Sequence, residues 1–130
     1  MMLKDIIAVK NKEGLFRIIS KGVNKLIIES VSDKKRMSLF KNDSFIPLGD
    51  MSISTNNGEM PIGEALTLIK SKENGNPISS DLQKADYDAL LSYMAEIVPN
   101  YNHKCVYPNE VRKLLKWYNL LITAGITDFS

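Results

Sequence analysis

N-E-V-R-K-L-L-K-W-Y-N-L-L-I-T-A-G, residues 109–125, is the stretch whose reading decides the fold. Its spacing predicts a helix. Asn109 can cap the first turn, Glu110 suits the positive N-terminal end, and Gly125 can close the helix in a left-handed conformation. Val111, Leu114, Leu115, Tyr118, Leu121 and Ile122 recur at three- and four-residue spacing and make one wide apolar stripe. Trp117, Leu120 and Ala124 fall on a second side, which leaves Arg112, Lys116, Asn119 and Thr123 as the wet face. A helix this apolar is normally covered on two sides. It is expected to lie between other parts of the protein or to bind a partner.

Working outward, the preceding D-Y-D-A-L-L-S-Y-M-A-E-I-V-P (residues 86–99) reads as another helix. Asp86 is its N-cap, Leu90, Tyr93, Met94 and Ile97 its inner face, and Pro99 its stop. Residues 100–108 make a structured loop between the two. Upstream, K-E-N-G-N-P-I-S-S (72–80) opposes helix and strand alike and reads as a linker. Ahead of it Ile62, Ala65, Leu66 and Ile69 share one face of a helix ending near Lys72.

The N-terminal half reads as strands. L-F-R-I-I-S, K-L-I-I-E-S-V and R-M-S-L-F are three consecutive β-rich runs, joined by K-G-V-N and S-D-K-K, and imply an antiparallel meander. Residues 41–50 look like a loop. M-S-I-S-T (51–55) alternates as a half-buried strand should. Asn57-Gly58 predicts a type I′ hairpin, and Pro61 ends the return strand. Leu3, Ile6 and Ile7 have helical spacing and predict a short opening turn, broken at residues 10–14.

The expected fold is therefore α+β: a small antiparallel β domain of SH3-like barrel type, then a helical hairpin domain. An open sheet with a helix packed on one face is the competing picture. The expected division is residues 1–72, linker 73–80, and 81–130. Two C-terminal helices cannot bury enough surface alone. The last helix should join the halves, with its main stripe on the 86–98 helix and its Trp117 side against the β part.

The 130 residues bound one compact unit or two small interdependent ones. A single Cys excludes an internal disulfide and suits a reducing compartment. No signal peptide and no membrane-length apolar run is found, so the cytoplasm is the expected location and no membrane partner is expected. The net charge of +2 is too small to imply a nucleic-acid partner by itself. Residues 1–63 hold ten Lys/Arg against seven Asp/Glu, and 64–130 hold seven against eight, a mildly basic first half.

At G-L-F-R-I-I-S (14–20), E-S-V-S-D-K-K-R-M (29–37), M-S-I-S-T with its N-G turn, V-P-N-Y (98–101), V-Y (106–107) and K-W-Y-N-L-L (116–121), the chain resembles a known family. That family comprises small uncharacterised cytosolic proteins of Bacteroidetes-type bacteria, built from two consecutive domains of unknown function. The resemblance covers nearly the whole chain. Asn109-Glu110-Val111 replaces a Ser-Asp-Ile type of helix start, and residues 10–14 lack the family's small-residue and proline turn. The resemblance implies a β-rich N-terminal and a helical C-terminal domain. It brings no activity and no catalytic residues.

Candidate chemistry is sparse. His103 and Cys105, the sole His and Cys, lie two apart in an extended segment and could point the same way, but nucleophilic catalysis also needs an oxyanion site. One His and one Cys cannot supply a zinc site, and no glycine-rich phosphate loop is present. Asp86 and Asp88 are explained by capping and the helix dipole. No enzyme, metal or cofactor is expected.

Two binding readings remain. Trp117, Leu120 and Ala124, if left uncovered, would form an apolar strip for a protein partner or a homodimer. Arg17, Lys21, Lys25, Lys34, Lys35 and Arg36 could form a basic patch at one end of the sheet, with Phe16 and Phe40 nearby for base stacking. The first reading is a non-enzymatic protein-binding or self-associating module; the alternative is an RNA- or DNA-associated protein.

Overall fold

Ile6 and Ile7 are both fully buried on opposite sides of the chain, which only an extended backbone achieves. The expected short opening turn is therefore present but stops before Ile6. Leu3–Asp5 form a 3₁₀ turn and Ile6–Val9 form strand β1. The computed structural model describes residues 3–10, 12–40 and 43–129. The parts of the N-terminal turn, the 10–14 break and the 41–50 loop that rest on Met1, Met2, Asn11, Lys41 and Asn42 lie outside these residues.

The expected meander is present as β2 (Phe16–Lys21), β3 (Lys25–Ser30) and β4 (Arg36–Phe40). Inside the expected 41–50 loop lies a further strand, β5 (Phe45–Pro47), which pairs antiparallel with β1, and then a 3₁₀ turn at Leu48–Asp50. Three residues ending in proline give too little periodicity to announce a strand. The sheet order is β4-β3-β2-β1-β5.

This sheet is open, not a closed SH3-like barrel. The five-residue step from Phe40 to Phe45 spans at most about 18 Å, so the two edge strands approach at that end and the sheet must curl. The curl is lined by Ile7, Val9, Phe16, Ile28 and Leu39, a core built from sheet residues alone. Closure fails for two reasons. Pro47 has no N–H to offer a neighbour, and the Phe40 N–H at the opposite edge donates to the Asp43 carboxylate at 2.8 Å instead of to a strand.

Strands β6 (Ser52–Thr55) and β7 (Gly58–Pro61) form a separate two-stranded sheet. Its turn is not type I′, because only Gly58 of the Asn57-Gly58 pair takes positive φ, at 119°. The Thr55 hydroxyl holds the turn, donating to the Gly58 carbonyl at 2.6 Å and accepting from the Asn57 N–H at 3.2 Å. The 100–108 loop is structured as expected. Tyr101 bridges to Thr55, and the Asn56 N–H donates to Asn100.

Four helices follow: α1 (Ile62–Glu73), α2 (Ser80–Gln83), α3 (Tyr87–Ile97) and α4 (Pro108–Thr123). Ile62, Ala65, Leu66 and Ile69 of α1 are buried as expected, and so are Leu90, Tyr93, Met94 and Ile97 of α3. The Asp86 carboxylate caps α3 by accepting from the Ala89 N–H at 2.9 Å. Asn109 does not cap α4. Tyr107 holds the cap position and Pro108 the first turn, where proline's missing donor costs nothing. At the other end Gly125 takes φ of 80°, and the Ile126 and Gly125 N–H groups return to Leu121 and Ile122 in a Schellman closure.

The main core is one cluster. Ile6 of β1, with Leu3, Leu15, Val31 and Leu48 from the turns next to the strands, packs with the buried faces of α1, α3 and α4. The stretch between α1 and α2 is fastened to this cluster. Ile78 is buried, and the Asn119 side chain accepts from its N–H at 2.7 Å and donates to its carbonyl at 2.9 Å. Asn119, read as wet from its spacing, is half-buried for this reason. Arg112 behaves alike, donating to the Ala85 carbonyl at 2.9 Å. Among the described residues no helix is long and apolar enough to cross a membrane.

Candidate functional site

Direct cross-strand partners put their side chains on the same face of a sheet. Ala8 and Ile46 are such partners, and Ala8 packs against the main core, so Ile46 projects from edge strand β5 toward the helices. It remains 54% exposed. Facing it, Glu110, Lys113, Leu114 and Trp117 follow one flank of α4 at three- and four-residue spacing. Between them runs a trough. One part, of about 520 Å³, is bounded by Ile46, Ser52, Ile53, Val106, Leu114 and Trp117. A second part, of about 560 Å³, is bounded by Val9, Phe45, Ile46 and Trp117. Ile46, Met51, Lys113 and Trp117 belong to both parts, so the two are continuous.

The trough is electrically polarised. Asp50, Glu59 and Glu110 stand at one end, where the Glu59 carboxylate accepts from the Ser52 hydroxyl at 2.8 Å. Lys10 and Lys12 stand at the other, with Glu13 beside them, 3.8 Å from Lys116. Lys113 sits at the midpoint, its Nζ 5.7 Å from the centre of the Trp117 ring. An apolar floor with carboxylates at one end and ammonium groups at the other suits a ligand that is itself apolar and doubly charged.

The sequence pointed to Trp117, Leu120 and Ala124 as one strip. In the fold Trp117 is only 9% exposed, and Leu120 and Ala124 are half-buried against the main core. They do not form an open aromatic surface. The exposed wall is Ile46, a residue that the sequence left in a loop; its only signal was an isolated F-I ahead of Pro47.

The six basic residues do not gather. Lys21 and Lys25 flank the β2–β3 turn, while Lys34 and Lys35 lie in the β3–β4 turn at the opposite ends of those strands, roughly 17 Å away. Arg17, Glu29 and Arg36 form one cross-strand row, with Glu29 between the two cations and 3.2 Å from Arg36. Asp33 adds a carboxylate to the Lys34–Lys35 turn, and the Lys35 N–H that it accepts holds its pKa below the ordinary value. Phe16 is buried inside the curled sheet, and Phe40 is exposed at its edge.

His103 stacks on Tyr101, with ring centroids 4.2 Å apart, while Cys105 is exposed and borders the acidic part of the trough. Among the described residues no three His, Cys, Asp or Glu side chains are grouped as metal ligands would be. Away from the trough, α1 and α3 are linked by the Tyr93 hydroxyl, which donates to Glu73 at 2.7 Å. Burial, reinforced by that carboxylate, holds the Tyr93 phenol well above its ordinary pKa.

Two family models match the chain. The Domain of unknown function (DUF5606) matches residues 3–48, and the Domain of unknown function (DUF6852) matches residues 51–121. The second match takes in β6, β7 and α1 together with α3 and most of α4. A solution NMR structure of a Bacteroides vulgatus protein from the Northeast Structural Genomics Consortium is similar at 42% identity, over 98% of this chain and 91% of that one, with a TM-score of 0.81. No curated protein matches.

Proposed function

The chain belongs to the family with these two consecutive domains of unknown function, and on that footing we propose that it is a non-enzymatic protein-binding or self-associating module acting through the trough. The observation that carries this reading is Ile46, a large aliphatic side chain standing more than half exposed over an apolar floor. Exposed apolar surface rimmed by charge marks interaction sites.

Trp117 is a poor probe of this reading, because truncating a packed tryptophan costs about 3–5 kcal/mol of core stability. Ile46→Asp is a better one, since it changes an exposed side chain. The test is affinity capture from a cell extract with wild-type and Ile46→Asp baits, together with sedimentation of both proteins. A protein captured by the wild type and lost by the variant, or a dimer that the variant abolishes, supports the reading. Identical capture and identical sedimentation would refute it.

The nucleic-acid alternative is tested by fluorescence anisotropy with single-stranded RNA and duplex DNA at two salt concentrations. Glu29 and Asp33 among the basic residues lead us to expect no steep salt dependence. Tight, salt-sensitive binding that fails in a Lys34/Lys35/Arg36→Ala triple variant would reverse the choice.

A further inference from the structure

Building on the reading of the trough as an interaction site, we propose its occupant: an extended segment of a partner protein, apolar in its middle, with Lys or Arg at one end and Asp or Glu at the other. Charge complementarity carries the assignment. Asp50, Glu59 and Glu110 would receive the basic end, Lys10 and Lys12 the acidic end, with Glu13 beside them paired to Lys116, and the apolar surface between is the Ile46 wall and Trp117. Among the described residues strand β5 has β1 on one side and no strand on its other, so an extended chain beside Ile46 also meets a sheet edge. Pro47 limits how far such pairing can run.

A second copy of this chain does not present that segment. Its other exposed large apolar residues stand in the wrong company. Val23 lies between Lys21 and Lys25, Tyr87 lies between Asp86 and Asp88, and Tyr107 is followed by Pro108. Phe40 ends a run with cations on both sides, Arg36 and Lys41, Leu68 is held in helix α1, and Phe45 lines the trough itself. None is an apolar run with opposite charges at its two ends. The occupant is therefore a different protein.

Trp117 is the sole tryptophan and lines both parts of the trough, which makes its fluorescence a direct reporter. The probes are three end-capped octapeptides, KKLVLVDD, KKLVLVKK and DDLVLVDD, titrated up to about 1 mM into the full chain. The mixed-charge peptide should bind about fivefold or more tightly than either single-sign peptide, because each of those mismatches one end. Lys10→Glu with Lys12→Glu should invert the order, so that KKLVLVKK binds better than KKLVLVDD. Ile46→Asp should weaken KKLVLVDD by about tenfold or more while far-UV circular dichroism stays unchanged.

Equal affinities for the three peptides, an unchanged order after the charge swap, or no binding up to that concentration would each overturn the proposal. If no peptide binds but Ile46→Asp still loses a captured partner or a dimer, the occupant named here is wrong and the interaction reading survives. If Ile46→Asp changes neither, both fall.

Discussion

Asn119→Ala tests the contact that fastens the segment between α1 and α2 to the last helix. The Asn119 amide occupies both backbone groups of Ile78, at 2.7 and 2.9 Å, across 41 residues of sequence. Ile78 is buried, so water cannot readily replace the lost partners. Leaving a buried N–H and a buried carbonyl unsatisfied costs about 1–2 kcal/mol each, roughly 3 kcal/mol together. Alanine returns about 0.5 kcal/mol of helix propensity at that position. The expected net loss is about 2.5 kcal/mol. A chain of this size unfolds with an entropy near 0.27 kcal/mol per degree, so the midpoint should fall by about 9 °C. Urea unfolding and thermal melting measure the loss, with Thr123→Ala on the exposed side of the same helix as control. Amide hydrogen exchange adds a local readout: Ile78 should lose protection while Leu90 keeps it. A loss below about 0.5 kcal/mol, or an unaltered Ile78 amide, would refute the claim that this contact holds the segment.

Two further predictions concern the core. A Cβ at Gly63 would collide with the Phe129 carbonyl oxygen and meet Leu3 Cδ1 at 3.1 Å, so Gly63→Ala should cost about 2 kcal/mol by urea unfolding. The penalty should shrink in a chain ending at Gly125, where only the Leu3 contact remains; an equal penalty in both backgrounds would show that the C-terminal segment is not what Gly63 accommodates. Tyr93→Phe deprives Glu73 of a donor and should cost about 1–2 kcal/mol at neutral pH. It should also alter the alkaline limb. Folding holds the Tyr93 phenol above the value of 10.0 that it has when free, so above about pH 10 the unfolded chain binds fewer protons than the folded one and stability falls with pH. That fall should be shallower in Tyr93→Phe; parallel limbs would contradict the assignment.

The helices were legible because their information is local. Leu90, Tyr93, Met94 and Ile97, and the stripe from Val111 to Leu121, repeat at the helical period and are buried. Asp86 and Gly125 mark ends by chemistry confined to one turn. The meander was equally plain, since its three runs are joined by polar turns. The start of α4 was misplaced by two residues because Asn109 and Pro108 compete for adjacent roles, and the fixed φ of proline prevailed.

The trough was not legible, and the reason is physical. Its basic end, Lys10 and Lys12, lies about forty residues from Asp50 and Glu59 of the acidic end, and Glu110 is about fifty residues further on. Strand β5 is defined by its pairing with β1 rather than by any pattern of its own. The exposed state of Ile46 and the burial of Trp117 both follow from where that edge strand comes to rest. By itself the sequence determined the class of elements, their order and the apolar faces, because propensity, capping and periodicity act within a few residues. The tertiary structure alone decided that Asn119 holds Ile78 and that opposite charges share one trough with Ile46 and Trp117, because those outcomes depend on contacts between residues about forty or more positions apart.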